Sequence, residues 1–515
     1  MNPPIRNIII LGGGTSGWMT ACFLQRSLNR YNPNRVSITV IEGDDGPIGV
    51  GEATIPSLRN MLSMLGIDER QFMIETDATF KMAIRFENWT HSPSERPGYF
   101  YHLFDRPQPI NGIEAGTSIL ASNKNLQSAR YAELLSVQPA LCDHLRSPKL
   151  PNSPDYMAPM PYAYHLDAIK FGRFLRKTAV TRGVRRVTDH VVEVIRNEQG
   201  YITSLKTAAG QEFAGDLYVD CTGFKGLLIN QTYQTPFIPW DKHLYCDRAV
   251  AFQIPSPADS PIRPYTLSTA VRNGWIWEIA LRARKGIGYV YSSQFATSEQ
   301  AEQELREHIG PAANELSARH INMRVGRNSS LWVKNCVAIG LSAGFLEPLE
   351  STGIFLTEIG LMHFMENYPL KGFNDVLSGN YNIQMARLYD EVLDFIVMHY
   401  CLTQREDTPF WHANKYHPNI PDGLKRDLLL WQNRLPSPWD KNRSGITFAC
   451  DSYLYILAGM RSGELPGSPH DGLIVKSKVD EYVAAIAKKQ KQAIAMSSDH
   501  GDYIRAMHHN SAGRF

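Results

Sequence analysis

Gly12, Gly14 and Gly17 stand at Gly-x-Gly-x-x-Gly spacing in the stretch Gly12-Gly13-Gly14-Thr15-Ser16-Gly17. The chemistry open to that spacing is the binding of a pyrophosphate. The first glycine permits a tight turn, the second lets backbone approach a phosphate, and the third lets helix and strand pack closely. A helix opening at Thr15 and Ser16 would add N–H groups and a partial positive charge. Glu42 stands where an acidic residue takes a ribose hydroxyl. Alone, the glycine turn says dinucleotide, with NAD as good a fit as FAD. A second glycine-rich stretch, Gly46 to Thr54, suits close backbone approach to an isoalloxazine ring or its phosphates. Lys81 is a different kind of candidate, a lysine among apolar neighbours. Burial lowers a lysine pKa and opens the neutral amine to chemistry.

Positioning these residues takes a specific order of elements. The apolar run Ile8-Ile9-Ile10-Leu11 predicts a strand before the glycines, and Trp18 to Leu24 predicts a helix after them. Val36 to Ile41 predicts a second strand that delivers Glu42. Leu58, Met61, Leu62 and Leu65 have helical spacing over 55–76, with Gly66 as a stop. Ala78 to Phe86 alternates as one strand, and 88–160 is irregular, rich in Pro, His and aromatic residues. Tyr164 to Asp167 opens a helix through Leu175, and a hairpin is predicted from Val191–Ile195 to Ile202–Thr207. Asp216 to Gly223 and Cys336 to Gly344 each read as a buried strand running into a small-residue turn, two returns that shift the glycine site towards a flavoprotein. Alternation over 245–295 predicts an antiparallel sheet. Beyond 355 the chain reads as helical, with a solvated lysine-rich face near Lys488–Lys491 and disorder over the last 15 residues.

Composition narrows the field. The chain has 515 residues, 43% hydrophobic and 20% charged, with net charge +2, so neither a nucleic-acid nor an anionic-membrane surface is expected. The seven cysteines lack Cys-x-x-Cys spacing, which suggests neither a disulfide framework nor a metal site. Cys221 and Cys336 read as small core residues. No apolar stretch approaches the ~20 residues of a membrane span. A cytoplasmic protein is expected.

Five motifs then occur together: the glycine fingerprint followed by Trp18, Gly51-Glu52-Ala53-Thr54-Ile55-Pro56, Phe80-Lys81, Gly274-Trp275-Ile276-Trp277-Glu278-Ile279, and Glu347-Pro348-Leu349-Glu350-Ser351-Thr352-Gly353-Ile354. In this set and order the chain resembles the flavin-dependent tryptophan halogenases. The resemblance implies an α/β fold: a Rossmann-like, three-layer FAD-binding domain of the flavoprotein monooxygenase type, with a substrate-side β-sheet and a mostly helical C-terminal part. The expected division is a FAD-binding domain over 1–355, with inserted segments around 80–165 and 225–330, and a helical, closely packed subdomain over 356–515.

The resemblance also implies roles. FADH2 comes from a separate flavin reductase, and with O2 and chloride or bromide it yields hypohalous acid for an indole-type substrate. Gly12, Gly14, Thr15, Ser16, Gly17, Glu42, Ala53, Gly340, Leu341 and Ile354 match the cofactor site, and Ser351, Thr352 and Gly353 the halide site. Lys81 and Glu350 match the catalytic pair: lysine to hydrogen-bond or capture the halogen, carboxylate to take the ring proton. His102, Phe104, Tyr453 and Tyr455 are assigned to the substrate, and Trp275 and Trp277 to keeping substrate from flavin. No metal is implied, and a homodimer is left open. Two departures stand out. Ala280 replaces a proline usual in the tryptophan motif, and Tyr453 and Tyr455 are not an adjacent pair, so tryptophan, indole and larger indoles all remain open as substrates. Each site residue also has an ordinary reading: Lys81 reaching solvent from a strand end, Glu350 in a helix first turn, Ser351 or Thr352 as an N-cap. An aromatic hydroxylase on the same flavin chemistry, or a flavin carrier without chemistry, are the competing functions.

Overall fold

The strand Asn7–Leu11 sits inside a six-stranded sheet because four of its five residues are buried and apolar, the pattern of a strand covered on both faces. The structure, a computed structural model, describes residues 5–32, 35–43, 52–123, 126–440, 447–460 and 465–509. It divides into two units: residues 1–76, 166–240 and 324–390, and residues 77–165, 241–323 and 391–515.

In the first unit, Asn7–Leu11 pairs in parallel with Ser37–Glu42 on one side and with Leu217–Asp220 on the other. Arg185–Thr188 and Cys336–Ala338 extend the two sides in parallel, and Trp332–Val333 closes one edge antiparallel. The chain therefore leaves the first strand in one direction and returns on its opposite side. That reversal opens the crevice at strand carboxyl ends where such sheets bind ligands. The helices Thr15–Asn29 and Ala168–Thr181 pack against each other. Ile202, Leu205 and Phe213 of a three-stranded antiparallel sheet share a core with Ile9, Leu11, Ile41 and Tyr218. Helices, parallel sheet and antiparallel sheet make the expected three layers. The predicted hairpin and both strand returns are present.

The second unit is built on a seven-stranded sheet, in the order Arg319–Asn322, Arg248–Pro255, Arg284–Tyr291, Gly274–Ala280, Tyr265–Val271, Ala83–Glu87, Tyr99–Leu103. It is antiparallel except where Tyr265–Val271 meets Ala83–Glu87. Ile276, Ile287 and Tyr289 face Ala301 and Leu305 of the helix Ser298–Ile309. Trp275 joins Trp89 and Trp277 in an aromatic layer, with Tyr400 and Trp411 against Trp89.

Several boundaries differ from expectation. The run 78–86 is two strands, Thr79–Lys81 and Ala83–Glu87, in different sheets. Met82 leaves the alternation because its N–H is taken by the Pro264 carbonyl (2.8 Å). The region 88–160 holds three short helices, Ala115–Ser122, Ser128–Leu135 and Gln138–Asp143, each too short for its periodicity to stand out. Ala163–Leu166 is a strand, and the helix begins at Ala168 after Asp167 caps the Lys170 N–H (2.9 Å). The helical tail is present, and residues 501–509 of the expected disordered end lie in the helix His500–His509. No helix of the described residues is long and apolar enough to cross a membrane.

Candidate active site

The glycine turn follows the first strand directly. Gly12 has φ +110°, and a Cβ there would strike the Cys221 carbonyl, so the position demands glycine. A Cβ on Gly17 would strike the Gly12 carbonyl, which is the close strand-to-helix approach the spacing predicts. Gly14 differs: among the described residues, a Cβ would meet no atom within 4 Å beyond its chain neighbours. Among the described residues nothing fills the space beyond Gly14 at the start of the helix Thr15–Asn29, whose N-terminus has no side-chain cap. Open space in front of uncapped helix N–H groups suits a pyrophosphate, and these residues fit a dinucleotide.

Of the other cofactor candidates, Ser16 and Gly340 meet at the same turn. The Ser16 hydroxyl lies 3.2 Å from that of Thr357, and Gly340 backs onto Ser16. Thr15 donates weakly to the Ala168 carbonyl (3.4 Å). Gly340 and Leu341 lie on a 3-10 turn, and Ile354 in the first turn of the helix Gly353–Glu366. Ala53 lies on the short strand Glu52–Ala53, while Gly46–Gly51 fall outside the described residues. Glu42 is buried beside the turn; its Oε2 accepts the Trp18 indole N–H (3.0 Å), and Oε1 pairs with Arg186 and with Arg176 (3.6 Å).

Asp220, read from the sequence as part of the buried strand that runs into Thr222-Gly223, has a role there that the sequence did not assign. Its Oδ1 accepts the Thr222 N–H (3.0 Å) and hydroxyl (2.6 Å), and its Oδ2 accepts the N–H groups of Leu228 and Ile229 (both 2.8 Å). Burial nevertheless raises its pKa, opposed by those hydrogen bonds. The Thr222-Gly223 return is thus folded around a buried acid.

Glu350 is 1% exposed and ends the 3-10 turn Pro348–Glu350. Ser351 follows at φ +60° in the left-handed region, and Thr352 precedes the helix Gly353–Glu366 without a side-chain cap bond. The carboxylate precedes the helix rather than lying in its first turn, and the Thr352 hydroxyl does not satisfy the helix N-terminus. Among the described residues a Cβ on Gly353 would meet nothing within 4 Å, which leaves this second helix start open as well.

In the second unit, Lys81 is 0% exposed, which removes the solvent-reaching alternative. Its Nζ lies 5.1 Å from the Phe104 ring centroid. The strand Thr79–Lys81 is held on several sides. It pairs with Ala163–Leu166 in the register Thr79 to His165 and Lys81 to Ala163. The Thr79 hydroxyl donates to the Ala280 carbonyl (2.7 Å), at the position where the motif departs from proline. The Phe80 N–H donates to His500 Nε2 (3.1 Å), the His500 Nδ1–H donates to the Ile262 carbonyl (3.0 Å), and the imidazole stacks on Phe80. Burial pushes His500 down to about 4. His165, buried with Nε2 2.8 Å from the Thr266 hydroxyl, is driven well below the usual range by burial and by the Lys81 charge. Two neutral imidazoles therefore accompany the buried lysine, and neither adds repulsion.

His102 is buried on Tyr99–Leu103, with Phe395, Phe448 and Tyr455 at ring separations of 5.6, 6.3 and 6.1 Å. Tyr453 and Tyr455 lie on the helix Cys450–Met460 and meet different neighbours: Phe395 and Trp431 for Tyr453, His102 and Tyr131 for Tyr455. The Tyr455 hydroxyl is buried without a hydrogen-bond partner among the described residues. Trp275 and Trp277 are 1% and 5% exposed, their rings 6.2 Å apart. His165 and His500 were missed because no local pattern marks them; the Phe80–His500 bond spans 420 residues. Trp18, directly after the last fingerprint glycine, was a usable signal for what holds Glu42.

Comparison with known proteins bears on both units. The tryptophan halogenase family matches residues 7–471. Tryptophan 6-halogenase SttH of Streptomyces toxytricini is 36% identical over 524 residues, covering 97% of this chain and 98% of that protein. Tryptophan 7-halogenase RebH of Lentzea aerocolonigenes is 36% identical, covering 99% and 100%. Among solved structures, SttH superposes with TM-score 0.91 at 35% identity over 97% of this chain and 100% of that one. BrvH, a flavin-dependent halogenase from Brevundimonas sp. BAL3, superposes with TM-score 0.86 at 34% identity over 98% and 100%. With the nucleotide turn, the buried lysine and near-complete coverage in agreement, this chain belongs to the tryptophan halogenase family and is a flavin-dependent halogenase.

Proposed function

We propose that this enzyme halogenates the indole ring common to tryptophan, indole and larger indoles, using Lys81 to direct the halogen and Glu350 to remove the ring proton. Reduced FAD, supplied by a separate reductase, would provide hypohalous acid from oxygen and chloride or bromide. Gly12, Gly14, Thr15, Ser16, Gly17, Glu42, Ala53, Gly340, Leu341 and Ile354 are assigned to hold it. The open helix start at Ser351, Thr352 and Gly353 is assigned to the halide, for the reason such termini suit anions.

The observation that carries the reading is the complete burial of Lys81 over Phe104. A lysine excluded from water cannot serve solubility, and its N–H groups are strong donors there. Donation to the oxygen of hypohalous acid draws electrons from the halogen and makes it electrophilic towards an aromatic carbon. The halogen forms a bond to ring carbon, the O–X bond breaks, and the oxygen leaves as water after protonation. The ring, cationic at that point, loses its proton to the Glu350 carboxylate, a base contribution of ~10²–10⁴ in rate. His102, Phe104, Tyr453 and Tyr455 are assigned to the substrate side. The buried Tyr455 hydroxyl offers a hydrogen bond to a polar substrate group. Trp275 and Trp277 are assigned to keeping the ring from the flavin.

The test is a panel of tryptophan, indole and substituted indoles with bromide, oxygen and a generic flavin reductase, read by mass spectrometry. A product with the paired bromine isotope pattern is expected. A product heavier by one oxygen would overturn the reading in favour of hydroxylation.

A further inference from the structure

Seven cations and no carboxylate occur between Ala168 and Thr188, in a chain whose net charge is only +2. Helical spacing places Lys170, Arg173 and Lys177 along one side of the helix Ala168–Thr181. With Arg176 and Arg186 they line a cavity of about 580 Å³ whose remaining walls are Phe174, Val180 and one acid, Glu75. Glu75 pairs with Lys177 (3.0 Å), and the Lys177 side chain is still 66% exposed. The surface thus remains strongly positive.

Its place in the first unit gives that charge a direction. Arg176 and Arg186 both pair with Glu42, and Glu42 lies against Gly13 of the nucleotide turn. Two residues of the cavity wall are thus joined through Glu42 to the turn assigned to the pyrophosphate. A charge field of this kind raises the local concentration of an anion and its association rate by ~10–10³. The effect reaches about a Debye length, ~8 Å at physiological ionic strength.

We propose that the basic cavity along Ala168–Thr181 is a capture surface for reduced FAD, collecting the anionic dinucleotide from solution and passing it to the turn at Gly12–Gly17. The proposal rests on the flavin assignment above. It gives the surface a purpose, since a reduced flavin released by another enzyme is consumed by oxygen unless it is taken up quickly.

The experiment uses the full chain, chemically reduced FAD under anaerobic conditions and no reductase, with association followed by stopped flow from low to high salt. For the wild type, the association rate should fall steeply with ionic strength. Arg173→Gln/Lys177→Gln should associate about tenfold more slowly at low salt, with a shallower salt slope and convergence on wild type at high salt. Arg173→Lys/Lys177→Arg, which keeps both charges, should restore the wild-type rate and slope. A wild-type rate that ignores salt, or a Gln variant equal to wild type, would overturn the proposal while leaving flavin binding intact. Absence of flavin binding by the wild type would instead overturn the flavin assignment. A deficit seen only when a reductase is added would also overturn it, by assigning the surface to a protein.

Discussion

The two units assemble their candidate residues by opposite means. The first presents backbone: glycines without side chains, two helix starts without caps, and carboxylates held aside by neighbours. The second presents side chains sealed from water, with Lys81, His165 and His500 at 0% exposure. A backbone site tolerates little change in shape and much change in its surroundings. A site of buried polar groups depends on every partner that keeps those groups neutral, aimed or satisfied. The roles proposed for them, binding a large anion and steering a small electrophile, suit these two kinds of construction.

That contrast can be broken in several places. The largest expected effect is at Lys81. Lys81→Met fills the same space without the ammonium and should reduce halogenation by ~10³-fold or more, while reduced FAD still binds. Halogenation within tenfold of wild type would remove chemistry from the second unit. Glu350→Gln should slow turnover by ~10²-fold with little change in halide dependence, and unchanged turnover would exclude the carboxylate as base.

The glycines separate shape from ligand contact within the first unit. Gly17→Ala should lower the melting temperature by several degrees through its clash with the Gly12 carbonyl. Gly14→Ala, with no protein atom to strike, should leave melting unchanged and weaken flavin binding by ~10-fold. Equal destabilisation by the two variants would mean that Gly14 is structural as well.

Two buried titrations sharpen the comparison further. His500 stays neutral in the folded state down to about 4, against 6.5 for an ordinary histidine. As pH falls from 6.5 to 4 the unfolded chain takes up a proton that the native chain refuses, so stability is lost across that window. His500→Asn, which keeps an acceptor for the Phe80 N–H, should flatten the acid limb of a melting profile and lower halogenation by a few fold. An unaltered limb would show that this imidazole does not govern acid stability. In the first unit, burial raises Glu358 to about 8 from 4.5, opposed by a bond from Ser57. Stability should therefore fall as pH rises from 4.5 to 8 and level off beyond. Glu358→Gln should remove that decline, a melting gain of a few degrees above pH 8 and none at pH 4.5.

The sequence was most readable where one residue type has one physical use. Gly12 and Gly17 disclosed the turn, the apolar strands disclosed the parallel sheet, and alternation over 245–295 disclosed the large sheet. Reading failed where a distant partner overrides a local pattern. Ala78–Phe86 alternates throughout, yet the Pro264 carbonyl claims Met82 and divides the run. Ser351-Thr352-Gly353 has the composition of a cap, yet Ser351 enters the left-handed region and Thr352 leaves the helix start open. Lys81 was legible as a residue, its sealing was not, because Phe104, His165 and His500 come from three other parts of the chain.

The bond from Phe80 to His500 sets an order of events during synthesis. At ~5–20 residues per second the separation of 420 residues takes roughly 20–80 s to emerge. Until then the strand carrying Lys81 lacks one of its acceptors, while the glycine turn and its neighbouring strand, Ser37–Glu42, have long been translated. A nascent chain therefore carries its glycine turn well before its lysine is fully seated, so the strand bearing Lys81 is completed only on a nearly finished molecule.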